Sequence, residues 1–190
     1  DDQSGTYKAL CAALPRGTAR KRVSDGFRYS AGQASVAAVH PSGTAGPVSD
    51  LAANDGSVVL RVEMGETAFL LTGDIGAGAE SEILASGRMI KSAVLKVAHH
   101  GSGTSSSEAF LDRVRPSIAL ISVGEGNRYG FPTASVLERC GQVGSRVYRT
   151  DVDGAIEVSW DGRKLLVRTA AGNEKAGGRG ATSLRPGAVR

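Results

Sequence analysis

The chain has 190 residues, 41% of them hydrophobic, with a formal charge of +4. That length and apolar content suffice for one ordinary domain with a core, and no apolar run approaches the ~20 residues of a membrane-spanning helix. After Ala171, Lys175, Arg179, Arg185 and Arg190 stand against Glu174 alone, so +3 of the +4 sits there and the nearly neutral body gives no argument for nucleic-acid binding across the fold.

Residues 7–14 have helical spacing and stop at Pro15. The cluster Arg20-Lys21-Arg22 reads as solvated surface. Gly26 and Ala31-Gly32-Gln33 bracket short strands, and a strand over 35–39 ends at His40-Pro41. A loop rich in Gly, Pro and Ser runs from Ser42 to about Ala53. Residues 57–64 and 68–72 read as a hairpin turning at Gly65-Glu66, and a helix follows over 77–84. Residues 93–98 form a mostly apolar strand ending in His99-His100-Gly101-Ser102, and Ser105-Ser106-Ser107-Glu108 signals the cap of a helix through Arg113. A strand over 118–123, a helix over 133–140 and strands over 146–149, 155–160 and 164–168 complete the body, the last two joined at Asp161-Gly162. Strands alternating with helices after Gly73 predict a mixed sheet covered by helices. Residues 171–190, poor in apolar residues and rich in Gly, read as a disordered basic tail. Cys11 and Cys140 lie far apart among apolar neighbours and read as buried free thiols.

Three features at strand ends could carry chemistry, because loops leaving parallel strands converge on one rim. Asp74, in Thr72-Gly73-Asp74, is a hard oxygen ligand able to bridge cations, or a cap for the next helix. In His99-His100-Gly101-Ser102, imidazole is a common metal ligand, and neighbours on a regular strand point to opposite faces. One of the pair is then a ligand and the other meets substrate or supports the ligand from behind, unless both are ordinary loop histidines. Asn127-Arg128-Tyr129-Gly130-Phe131-Pro132 offers donors suited to a phosphate, or is a rigid loop whose aromatic rings pack. Asn54-Asp55-Gly56-Ser57 reads as a turn and His40 as a loop histidine.

The ordered series Asn54-Asp55-Gly56-Ser57, Thr72-Gly73-Asp74, Leu95-Lys96-Val97-Ala98-His99-His100-Gly101-Ser102, Asn127-Arg128-Tyr129-Gly130 and Tyr148-Arg149-Thr150-Asp151 closely resembles the metallo-β-lactamase-like domain of the ComEC family of competence proteins. The resemblance runs from about Tyr7 to Arg168. It implies the C-terminal half of an αββα sandwich, occupying residues 1–170, with a mixed sheet and flanking helices. It also implies two divalent ions, zinc or manganese, and hydrolysis of phosphodiesters by a metal-activated water. Asp74 then matches the bridging carboxylate and His99 the last metal-binding histidine, with His100 beside the substrate; the pair also admits the reverse assignment. Asn127 joins His100 as a catalytic residue in this reading. The implied partner is single-stranded DNA. The implied parent is tied to a membrane channel, with this domain outside the cell membrane and the piece itself soluble.

The departures from the family are specific. Its His-x-His-x-Asp-His cluster has no counterpart, since His40, His99 and His100 are the chain's histidines. Phe131 and Thr133 stand where relatives often carry a further histidine. With no initiator Met and a polar start, the chain is expected to be a piece beginning after that cluster. Alone it is expected to be inactive and to expose an apolar sheet face. Two other readings are a non-catalytic structural or interaction remnant of the fold and a stand-alone esterase or phosphodiesterase.

Overall fold

The computed structural model describes residues 5–19, 23–42, 54–172 and 181–184. The Arg20–Arg22 cluster, most of the Gly- and Ser-rich loop and the rest of the basic tail lie outside them.

After helix α1 (Gly5–Ala13), strands β1 (Arg28–Ala31), β2 (Ala34–His40), β3 (Val59–Met64) and β4 (Thr67–Leu71) form an antiparallel meander. The β3–β4 hairpin turns at Gly65, whose φ of 57° suits a residue without a Cβ. From β4 the pattern changes. Helices α2 (Ala77–Ala85), α3 (Glu108–Val114) and α4 (Ala134–Gln142) alternate with β5 (Val94–Lys96), β6 (Ile118–Ile121) and β7 (Arg146–Arg149), which continue the sheet in parallel. Parallel neighbours need such crossovers, so strand order follows chain order across all seven strands. A short helix α5 (Thr150–Asp153) leads to β8 (Ile156–Trp160) and β9 (Leu165–Thr169). Within the segment read as a disordered tail, β10 (Ala181–Leu184) pairs antiparallel with β9 and completes a second sheet in the order β10-β9-β8.

Period-two alternation divides the core. Leu70, Leu95, Ala119 and Ile121 face the helices and pack with Ile83, Phe110, Leu111, Val136 and Cys140. Val94, Ile118 and Tyr148 point the other way, against Leu165 and Val167 of the small sheet. Helices, large sheet and small sheet thus form three layers. The small sheet covers part of the face expected to be exposed: Phe69 and Leu120 are partly buried with it, whereas Leu71 remains 41% exposed at its strand end.

The helix layer is locked by a buried carboxylate. Glu80 is 1% exposed and accepts from the backbone N–H groups of Ser106 and, at 2.9 Å, Ser107. Ser107 in turn caps α3, its hydroxyl accepting from Phe110 N. Arg139 on α4 donates to the carbonyls of Ser105 and Ser106 at 2.9 and 2.8 Å, closing the same loop from the other side.

Candidate functional site

The parallel register brings Leu71 level with Lys96 and Lys96 level with Leu120, so β4, β5 and β6 release their loops on one rim. Thr72 Oγ1 donates to Lys96 O at 2.6 Å, tying the first two strand ends together. Gly73 then turns with φ 57°, where a Cβ would lie 2.9 Å from the Cβ of Ser57. That close approach lets Gly73 O accept from His99 N at 3.2 Å, and Asp74 N donate to Ser57 Oγ at 3.3 Å. Asp74 does not cap α2. The N-cap is Gly76, without a side-chain cap, and its N–H donates to Asp55 Oδ1 at 2.7 Å, which sets a carboxylate near the positive end of the helix. The turn carrying Asp55 is held by His40, the last residue of β2 and only 4% exposed, with Nε2 2.5 Å from Asp55 O.

The two adjacent histidines sit in a tight turn, Ala98–Gly101, rather than on the strand expected to run through Ala98. Both are left-handed, with φ 49° for His99 and 54° for His100. Two consecutive non-glycine residues in that region cost roughly 1–2 kcal/mol each. Strand alternation therefore does not separate the two rings, and each has its own role. His100 Nδ1 donates to Ser122 O at 2.6 Å, which turns Nε2 toward the cavity, 3.8 Å from Asp74 Oδ1. His99 lies edge-on to Phe131, ring centroids 5.7 Å apart. Side-chain exposures of 47% for His100 and 42% for Asp74 keep both reachable from solvent. Burial lowers the pKa of the neighbouring Lys96 ammonium, and the Asp74 charge opposes that shift.

Asp74, His99, His100 and Asn127, the four residues singled out in the sequence, line one cavity of about 670 Å³ with Asn54, Ser122, Thr150, Tyr129 and Phe131. Asn127 does not present a free amide there. Its Oδ1 accepts from Phe131 N at 3.0 Å, and its Nδ2 donates to Phe131 O at 2.7 Å and Gly124 O at 3.2 Å. The side chain shapes the loop over the cavity. That loop is pinned to the histidine turn: Thr133 N donates to Gly101 O at 3.0 Å, and a Cβ on Gly101 would sit 2.5 Å from Pro132 Cβ.

Sequence reasoning gives no site role to Ser57, Asp55, Ser122 or Thr150. Asp55 and Ser57 carry turn chemistry, and only the fold reveals that they reach across to α2 and Asp74. Ser122 acts through its backbone carbonyl, which no side-chain pattern encodes.

A separation of 3.8 Å between a carboxylate oxygen and an imidazole nitrogen admits one cation held at about 2.0–2.2 Å from each. A backbone carbonyl orienting the other ring nitrogen is the usual support for such a ligand. Among the described residues, however, no group of three His, Cys, Asp or Glu side chains converges. These residues fit one edge of a cation site and do not fit a two-metal centre.

A cleft at the carboxyl ends of parallel strands is where open α/β sheets bind their ligands. The chain is homologous to competence proteins of the ComEC type. It is 40% identical over 110 residues to "ComE operon protein 3" of Bacillus subtilis (strain 168), covering 58% of this chain and 14% of that protein. It is 41% identical over 117 residues to "Recombination protein 2" of Haemophilus influenzae (62% and 15%), and 44% identical over 105 residues to "Competence protein ComA" of Neisseria gonorrhoeae (55% and 15%). The chain thus matches about one seventh of each relative's length. No family model matches it.

Proposed function

We propose that this chain serves DNA uptake in competence as part of a metal-dependent phosphodiesterase, a metallo-β-lactamase-type αββα sandwich within a membrane-associated protein, on the outer side of the membrane. Asp74 and His100 form one wall of its metal site. The observation that carries the reading is the Asp74 Oδ1–His100 Nε2 pair, its imidazole oriented by Ser122 O, at the mouth of the shared cavity. This geometry favours His100 over His99 as the ligand and leaves His99 to contact substrate beside Phe131. Asn127 holds the loop above them. Asp74 and His100 would hold a zinc or manganese ion from one side, and such an ion would supply Lewis-acid activation of water for phosphodiester hydrolysis. The residues of this chain hold and orient; the remaining ligands come from beyond those described.

A second reading has an observation of its own. The lack of a third converging ligand among the described residues suits a non-catalytic module that keeps the cleft as a binding surface. Cleavage of a labelled single-stranded oligonucleotide in Mn²⁺ or Zn²⁺ separates the two. The chain alone is expected to cleave no faster than metal alone, and a competence protein carrying this segment is expected to lose cleavage on Asp74→Ala. Robust cleavage by the chain alone, lost on Asp74→Ala, overturns the need for further ligands. Unchanged cleavage by the longer Asp74→Ala protein overturns the metal-site role.

A further inference from the structure

The cavity has an aromatic wall that the metal-site reading does not use. Tyr129 lines the cavity and is 62% exposed, and it stacks on Phe131 with centroids 5.7 Å apart and planes 20° from parallel. The Arg128 guanidinium lies over the Tyr129 ring, 4.9 Å from its centroid, and Nη2 donates to the Tyr129 hydroxyl at 2.7 Å. Phe131 continues the contact inward to His99, so an edge-to-face and a stacked contact link Tyr129 to the histidine turn. The segment is anchored rather than free. Asn127 bonds to Phe131 through both ends of its amide, and Pro132 packs on Gly101.

We infer that Tyr129 is a stacking platform for a nucleobase of single-stranded DNA, one that places the adjoining phosphate over the Asp74–His100 pair. The inference rests on the phosphodiesterase reading and names how that site takes its substrate. An exposed ring lining the same cavity as the Asp74–His100 pair suits a base, because every base offers a π-face and stacking is tolerant of sequence. The arginine beside it suits the same ligand twice: its planar guanidinium stacks on bases, and its charge meets the flanking phosphate.

The test is fluorescence anisotropy of the 190-residue chain with a labelled ten-residue oligothymidylate and with an abasic strand of equal length, both in EDTA. The wild-type chain is expected to bind the base-bearing strand more tightly. Tyr129→Ala is expected to weaken that binding about tenfold, leave the abasic strand unchanged and so erase the preference. Tyr129→Trp is expected to restore it. Equal affinity for the two strands, no binding of either, or a Tyr129→Ala chain that keeps the preference overturns the platform. Because EDTA removes divalent ions, a base preference that depends on Tyr129 supports the platform even if Mn²⁺ binding at Asp74 and His100 then proves absent, so the two failures stay distinguishable.

Discussion

The hydroxyl of Thr150 lies 2.7 Å from both the backbone N and the backbone O of Val123, accepting from one and donating to the other. This bracket fixes the peptide next to Ser122, whose carbonyl orients His100. Thr150→Val is nearly isosteric but loses both bonds and leaves the Val123 N–H without its partner. It is expected to cost roughly 1–3 kcal/mol in denaturant unfolding. It should also shift the ¹⁵N signals of the His100 ring away from the Nδ1–H tautomer. Thr150→Ser should keep both properties. An unaltered His100 ring in Thr150→Val would show that Ser122 needs no such support.

Gly101 joins the histidine turn to the aromatic loop. Its φ is 86°, and a Cβ would meet Pro132 Cα at 3.0 Å as well as Pro132 Cβ. Gly101→Ala should therefore destabilise the chain by about 2 kcal/mol or more, from left-handed strain and overlap with a rigid neighbour. Thermal unfolding checks this, and a change below about 0.5 kcal/mol would contradict the close approach.

Glu80 carries a pH signature. Burial raises its carboxyl above the ordinary value of 4.5, against the lowering effects of the Ser107 and Ser106 hydrogen bonds and of the Arg139 charge. A folded-state pKa above the unfolded one means that protonation favours the fold. The contribution is fully present below about 4.5 and is lost as pH rises through the higher folded value. Glu80→Gln removes that dependence and offers one acceptor where two N–H groups converge. The stability difference between wild type and Glu80→Gln should therefore change with pH above 4.5, in the direction that disfavours wild type as pH rises. A difference independent of pH from 4 to 7 would contradict the shift.

Cys140 is buried in the helix-side core, and burial pushes its thiol up to about 11, with Arg139 opposing. Cys11 on α1 is only partly covered. At pH 8 a thiol-specific disulfide reagent should modify Cys11 quickly and Cys140 only on unfolding, since the thiolate is the reacting species. Fast release of two thiols per native chain would contradict the buried placement.

The sequence made the strand-end geometry legible because apolar runs, turn residues and helix caps each repeat at fixed spacing. Asp74, His99, His100 and Asn127 were selected that way and line one cavity. The relation between the two histidines was not legible, since consecutive left-handed residues carry no compositional mark and Ala93–Ala98 reads as continuous strand. Asn127 was selected for its donors and acceptors, but whether an amide faces a ligand or its own loop depends on where Phe131 and Gly124 lie. Strand β10 escaped notice because Ala181–Leu184 is short and surrounded by glycine; its pairing with β9 is a tertiary effect that local propensity does not encode.

The central claim, that Asp74 and His100 hold one edge of a cation site, is tested by Mn²⁺ titration of the chain labelled with ¹⁵N-histidine. Paramagnetic broadening is expected first at the His100 ring, well before the buried His40, and is expected to disappear in Asp74→Ala. Broadening that spares His100, or that persists unchanged in Asp74→Ala, would contradict it.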